Sequence, residues 1–187
     1  MLLSANDDEQ EIFDTINSLG VRLTTGELLK NYIFWDPAIQ EQYGTLWEPV
    51  FEADEDQIEF WNESKTSGRF KRTNIEVLLY CYLIIQTKKP VELDRLFKEY
   101  KTWLAGKTIE EKIEILKDIK RYAEIYFDFP DSTTLNQIAF SNHQARFFHV
   151  IENFEITTVY PLILFIYGEI TDREELERML RIVEGYI

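Results

Sequence analysis

Asp7–Trp35, DDEQEIFDTINSLGVRLTTGELLKNYIFW, reads as helix, tight polar turn, helix. Ile12, Phe13 and Ile16 recur at helical spacing and make an inner stripe. Asp7, Asp8, Glu9 and Glu11 load acid onto the positive end of that helix. Gly20 stands where a left-handed C-cap is wanted. A second helix is expected from about Thr25 to Trp35, with Leu28, Leu29, Tyr32, Ile33 and Trp35 apolar. The second helix opens on a capping box, in which a Thr and a Glu three residues later satisfy each other's free backbone N–H. That box, Thr24/Glu27, is one of five; the others are Asn6/Glu9, Thr73/Glu76, Thr108/Glu111 and Thr171/Glu174. Each precedes an apolar periodic stretch, so the expected fold is all-α: an irregular multi-helix bundle of about nine to eleven helices. Leu2 and Leu3 fit either a strand remnant or a loose terminus.

Downstream, Asp36-Pro37 stops the second helix. Residues 38–70 predict two or three short helices and then a polar loop, Glu63 to Arg69. The acidic run Asp54-Glu55-Asp56 reads as a solvated helix start, because no His, Cys or further carboxylate frames it as a metal site. Thr73 to Gln86 is apolar almost all round, which places a helix at the centre of the molecule. Glu92–Leu104 and Thr108–Phe127 are amphipathic, and Thr157–Tyr167 is again nearly all apolar, with Pro161 in or near its first turn. Between them come a break at Phe129-Pro130-Asp131, a short helix from about Ser132 and another over Gln144–Phe154. A final amphipathic helix runs within Asp172–Ile187. The ending at Glu184-Gly185-Tyr186-Ile187 carries no stop signal and suggests a piece of a longer protein.

Hydrophobic residues make up 45% of the 187 and only seven glycines and five prolines occur, so a large core and long helices are both within reach. Residues 1–70 carry a net charge of −11 out of −14 for the whole chain. Phosphate is bound mainly by cations that release its counterions, so the first third repels DNA. One cysteine, Cys81, makes no internal disulfide and reads as a small buried hydrophobe. The longest apolar run, Val159–Tyr167, is far short of the roughly 20 residues of a membrane span, and no signal peptide opens the chain. The expected compartment is the cytoplasm.

Most catalytic patterns are missing. No glycine-rich phosphate loop, zinc set or nucleophile elbow fits. His143 and His149, six apart on one helix, point to different faces and read as structural. What survives is the corner Asn17, Ser18, Gly20 and Arg22. Its polar groups could hold an anion or a nucleotide edge; the residues alone favour the plainer reading, in which Gly20 caps the helix while Asn17 and Ser18 bond the local backbone.

The segment FDTINSLGVRLTTGELLKNYIF resembles the signature of the GmrSD-type restriction endonuclease N-terminal domain family. That pattern runs approximately Ile-Phe-Glu-x-Leu/Ile-Asn-Ser-Arg-Gly-x-x-Leu-x-x-x-Asp-Leu-x-Lys-Asn-Tyr. Ile12, Phe13, Asn17, Ser18, Gly20, Leu23, Leu28, Lys30, Asn31 and Tyr32 fall in step with it. Asp14 and Glu27 are mild changes, and Leu19 stands where Arg is common. The likeness continues loosely through Arg146-Phe147-Phe148-His149, TTVYPLILFIYGEI and LERMLRIVEGYI. It implies that 1–36 is the end of a ParB/sulfiredoxin-like domain and that 37–187 is a helical extension packing as one unit with it. The family's Asp-Gly-Gln-Gln-Arg motif and its His-Asn-His nuclease domain do not occur here. The implied function is the helical portion of a modification-dependent restriction or phage-defence protein, linking a nucleotide-hydrolysing domain to a nuclease and inactive alone. The implied site is nucleotide-binding at Asn17, Ser18, Gly20 and Arg22, with no catalytic residue and no metal ligand in this chain. A nucleoside triphosphate and a divalent metal belong to the parent protein, whose other domains are the expected partners and contact DNA. An alternative reading is an autonomous helical protein–protein interaction module presenting Trp47, Phe60 and Trp61.

Overall fold

A computed structural model describes residues 23–67, 70–130 and 142–187 of the chain. The first helix, the Asn6/Glu9 box, the strand remnant and the short helix from about Ser132 lie outside the described residues. Within them are eleven α-helices and one two-stranded sheet, so the fold is the expected all-α irregular bundle.

The helix expected from about Thr25 to Trp35 is α1, Thr25–Ile33. Four short helices follow: α2 (Pro37–Gln40), α3 (Tyr43–Leu46), α4 (Glu48–Phe51) and α5 (Glu55–Asn62). Caps and prolines explain the segmentation. Asp36 accepts from the Ala38 N–H at 3.0 Å and Asp54 from the Gln57 N–H at 2.8 Å, while Pro37 and Pro49 sit in first turns where a missing N–H costs nothing. Asp54-Glu55-Asp56 is therefore the solvated helix start its sequence suggests.

The polar loop expected over Glu63–Arg69 is instead a hairpin. Strands β1 (Ser64–Ser67) and β2 (Phe70–Thr73) pair antiparallel, Ser64 opposite Thr73 and Ser67 opposite Phe70. That register leaves two residues of the sequence, Gly68 and Arg69, between the strands.

Helix α6 (Asn74–Thr87) starts at a complete Thr73/Glu76 box and ends at Lys88, whose φ of 54° is left-handed. A 3₁₀ turn (Leu93–Arg95) leads into α7 (Leu96–Leu104), and α8 (Ile109–Phe127) starts at the Thr108/Glu111 box. Then come α9 (His143–Asn153), a 3₁₀ turn (Thr157–Val159), α10 (Tyr160–Glu169) with Pro161 in its first turn, and α11 (Arg173–Glu184). The box expected at Thr171/Glu174 does not form; a one-way cap at the next residue takes its place. Asp172 caps α11 by accepting from the Glu175 N–H at 2.8 Å, in keeping with the stronger capping preference of Asp over Thr.

The two all-apolar helices make the centre. Helix α6 packs against α10, α8, α5, α1 and β2, and α10 also meets α8 and α11. At the α8–α10 crossing Gly168 is required, because a Cβ there would lie 2.6 Å from the Tyr122 ring. Buried Asn74 ties three elements: its amide donates to the Phe60 carbonyl at 2.8 Å and its oxygen accepts from the Tyr126 hydroxyl at 3.1 Å. One hydrophobic cluster runs from Leu29 on α1 to Val183 on α11. Cys81 is fully buried within it, and burial pushes its thiol up, so it serves as a packing residue. No described helix is long and apolar enough to cross a membrane.

Candidate functional site

Asn17, Ser18, Gly20 and Arg22, the corner singled out from the sequence, lie outside the described residues. The structure shows what the chain does immediately after that corner. Thr24 is extended, at φ −70° and ψ 160°, and turns the chain into α1. Its N–H donates to the Glu27 carboxylate at 2.7 Å, and the Glu27 N–H donates to the Thr24 hydroxyl at 3.2 Å. The Thr25 N–H donates to Glu76 at 3.2 Å. Two carboxylates thus cover the positive end of α1, and that helix start is not free to take a phosphate. Gly26 permits this approach: a Cβ there would lie 2.8 Å from Ile75 Cγ2.

One turn along α1, Lys30 meets a polar knot on the short helices. Its ammonium donates to Glu52 Oε1 at 2.9 Å, and the Trp47 indole N–H donates to the same oxygen at 3.2 Å. The Tyr43 hydroxyl donates to the other oxygen. Burial alone would raise the Glu52 carboxyl, but the Tyr43, Lys30 and Trp47 donors outweigh it and hold it below its ordinary value. Burial, with the bond to Glu52 next, pushes Tyr43 up to about 12. A carboxylate held ionised and a phenol held neutral make an anchor; general acid–base work needs groups that titrate near the working pH. The knot faces a cleft of about 250 Å³ lined by Gly26, Lys30, Trp47, Glu52, Trp61 and Ile75.

The rings offered by the sequence as a partner surface are not on the surface. Trp47 is 1% and Trp61 2% exposed, and Phe60 is half-buried. The Trp61 indole N–H donates to the Val50 carbonyl at 2.7 Å, while Phe51, Phe60 and Tyr126 stack around the ring. Short helices capped at Asp36 and Asp54 fold their rings inward, which a straight helical reading of 38–62 does not reveal. Among the described residues the rings most exposed to water are Trp35, Phe154 and Tyr186, with Phe127 and Phe165 partly exposed.

His149 is exposed and contacts Asn153 one turn on, and His143 is half-buried at the first turn of α9. No group of His, Cys, Asp and Glu among the described residues is arranged to hold a metal ion.

A second cavity, of about 440 Å³, opens between β1, the end of α8, α9 and the start of α10. Aromatic rings wall it and Lys65 reaches into it, 3.7 Å from Glu152 and 5.9 Å from the ring centres of both Tyr126 and Tyr160. No sequence pattern marks it, since its walls come from three separate stretches, 60–66, 126–130 and 148–160. Compared with protein-family models, curated proteins and solved structures, the chain has no match.

Proposed function

We propose that this chain is the helical portion of a modification-dependent restriction or phage-defence protein, linking a nucleotide-hydrolysing domain to a nuclease domain and inactive alone. The reading rests on the signature from Ile12 to Tyr32, which falls in step with the GmrSD-type pattern over ten positions. Its support in the fold is the way α1 is held. Lys30 is tied to Glu52, and Tyr32 packs edge-on against Phe97 with ring centres 6.0 Å apart. A ligand held at Asn17, Ser18, Gly20 and Arg22 would act directly on a helix locked to the bundle on both flanks. In this reading the nucleoside triphosphate and its metal sit mainly on the preceding domain, and DNA is engaged by the parent protein, because the first 70 residues carry a net −11.

The test uses the complete gene product that contains this sequence beside the 187-residue chain. The complete product is expected to hydrolyse a nucleoside triphosphate and to cut modified DNA in preference to unmodified DNA. Arg22→Ala should weaken nucleotide binding to it. The 187-residue chain should do neither. Hydrolysis by that chain alone would overturn its silent role, and a complete product with neither activity would overturn the family reading.

A further inference from the structure

We propose that the aromatic cavity between β1, α8, α9 and α10 binds a small organic ammonium ion of the choline type. Phe60, Tyr126, Phe127, Phe129, Phe148 and Tyr160 supply its walls. Ring faces carry negative quadrupole charge and attract weakly hydrated cations. Three carboxylates, Glu63, Glu152 and Glu155, line the same cavity against one cation, Lys65. The lining is therefore net negative, which favours a cation over a phosphate or carboxylate ligand. Its volume, about 440 Å³, falls in the range of small-molecule sites, roughly 300–1,000 Å³.

The chain itself demonstrates the chemistry. The Lys65 ammonium lies 5.9 Å from two ring centres, Tyr126 and Tyr160, and 3.7 Å from the Glu152 carboxylate. Its side chain is 30% exposed and stands on a short hairpin, so an incoming cation can share or replace its place. The inference is independent of any role in DNA defence.

Choline and its uncharged carbon isostere, 3,3-dimethyl-1-butanol, are titrated into the protein while the aromatic ¹H–¹³C NMR signals are followed. Choline should shift them saturably and bind at least roughly tenfold more tightly than the isostere, since only the charge differs. Lys65→Met should strengthen choline binding by removing the resident competitor. Glu63→Gln with Glu155→Gln, both at exposed positions, should weaken it several-fold without lowering thermal stability. Phe127→Ala, at a ring 42% exposed, should also weaken it. Equal binding of the isostere, no saturable shift, or weaker binding in Lys65→Met would each overturn the proposal.

Discussion

Glu52 accepts from three donors, Lys30, Tyr43 and Trp47, that reach it from 22, 9 and 5 residues away in sequence. Nothing local marks it among the fifteen acids of the first 70 residues, so its role was not legible in the sequence. Lys30 was singled out only by a resemblance; the structure gives it Glu52 as its partner. The pH consequence follows from the direction of the shift. The folded-state pKa lies below the ordinary 4.5, so the ionised carboxylate stabilises the fold above that pH. The contribution disappears as pH falls through the folded-state value. Glu52→Gln keeps the shape and removes the charge. It should cost about 1–2 kcal/mol near neutral pH, a charge-assisted bond discounted for a side chain 30% exposed. Urea unfolding of both proteins at about pH 7 and about pH 3 checks this. The gap should narrow sharply in acid, and a gap of equal size at both would exclude Glu52 as the titrating anchor.

Helix starts were the most legible elements, because a capping box is a relation between residues three apart. The boxes at Thr24, Thr73 and Thr108 form with both reciprocal bonds in place. The box placed at Thr171 did not form, since Asp172 beside it is the better cap and takes the Glu175 N–H alone. The hairpin was missed because its strands are polar and short, each only four residues long. What no box reveals is sharing between elements. Glu76 accepts from the Thr73 N–H at 2.9 Å and also from the Thr25 N–H at 3.2 Å, across 51 residues. It is 6% exposed, so its donors have no water to fall back on. Glu111 serves Thr108 alone at the surface. Glu76→Ala should therefore cost about 2–3 kcal/mol, whereas Glu111→Ala should cost under about 1 kcal/mol. Thermal or urea unfolding of the two variants measures the difference. Equal losses would mean that the Thr25–Glu76 bond joins nothing that matters to the fold.

For the molecule as a whole, the apolar runs at Thr73–Gln86 and Thr157–Tyr167 identified the two central helices, because a helix with no polar face must be covered on all sides. Their neighbours were not legible: contacts across 50 or so residues leave no periodic trace, and Trp47 and Trp61 looked free to bind a partner. The buried rings now allow a test of how α1 and the short helices belong to the rest. Leu29 and Ile33 of α1 share one hydrophobic cluster with Trp47 and Trp61, with α6 and α10, and with Val183 near the far end of α11. Separate unfolding steps arise when cores are separate, and chains above about 150 residues often have more than one. A single shared core predicts a single step in spite of the 187-residue length. In a Trp103→Phe variant, which removes the tryptophan on α7, Trp47 and Trp61 report on α3 to α5, while far-UV circular dichroism reports on all the helices. In urea the fluorescence and dichroism curves should superimpose, with one midpoint and one slope. Trp35, 87% exposed, contributes little change and does not blur the comparison. If fluorescence moves first, α1 to α5 unfold as their own unit, apart from α6 to α11.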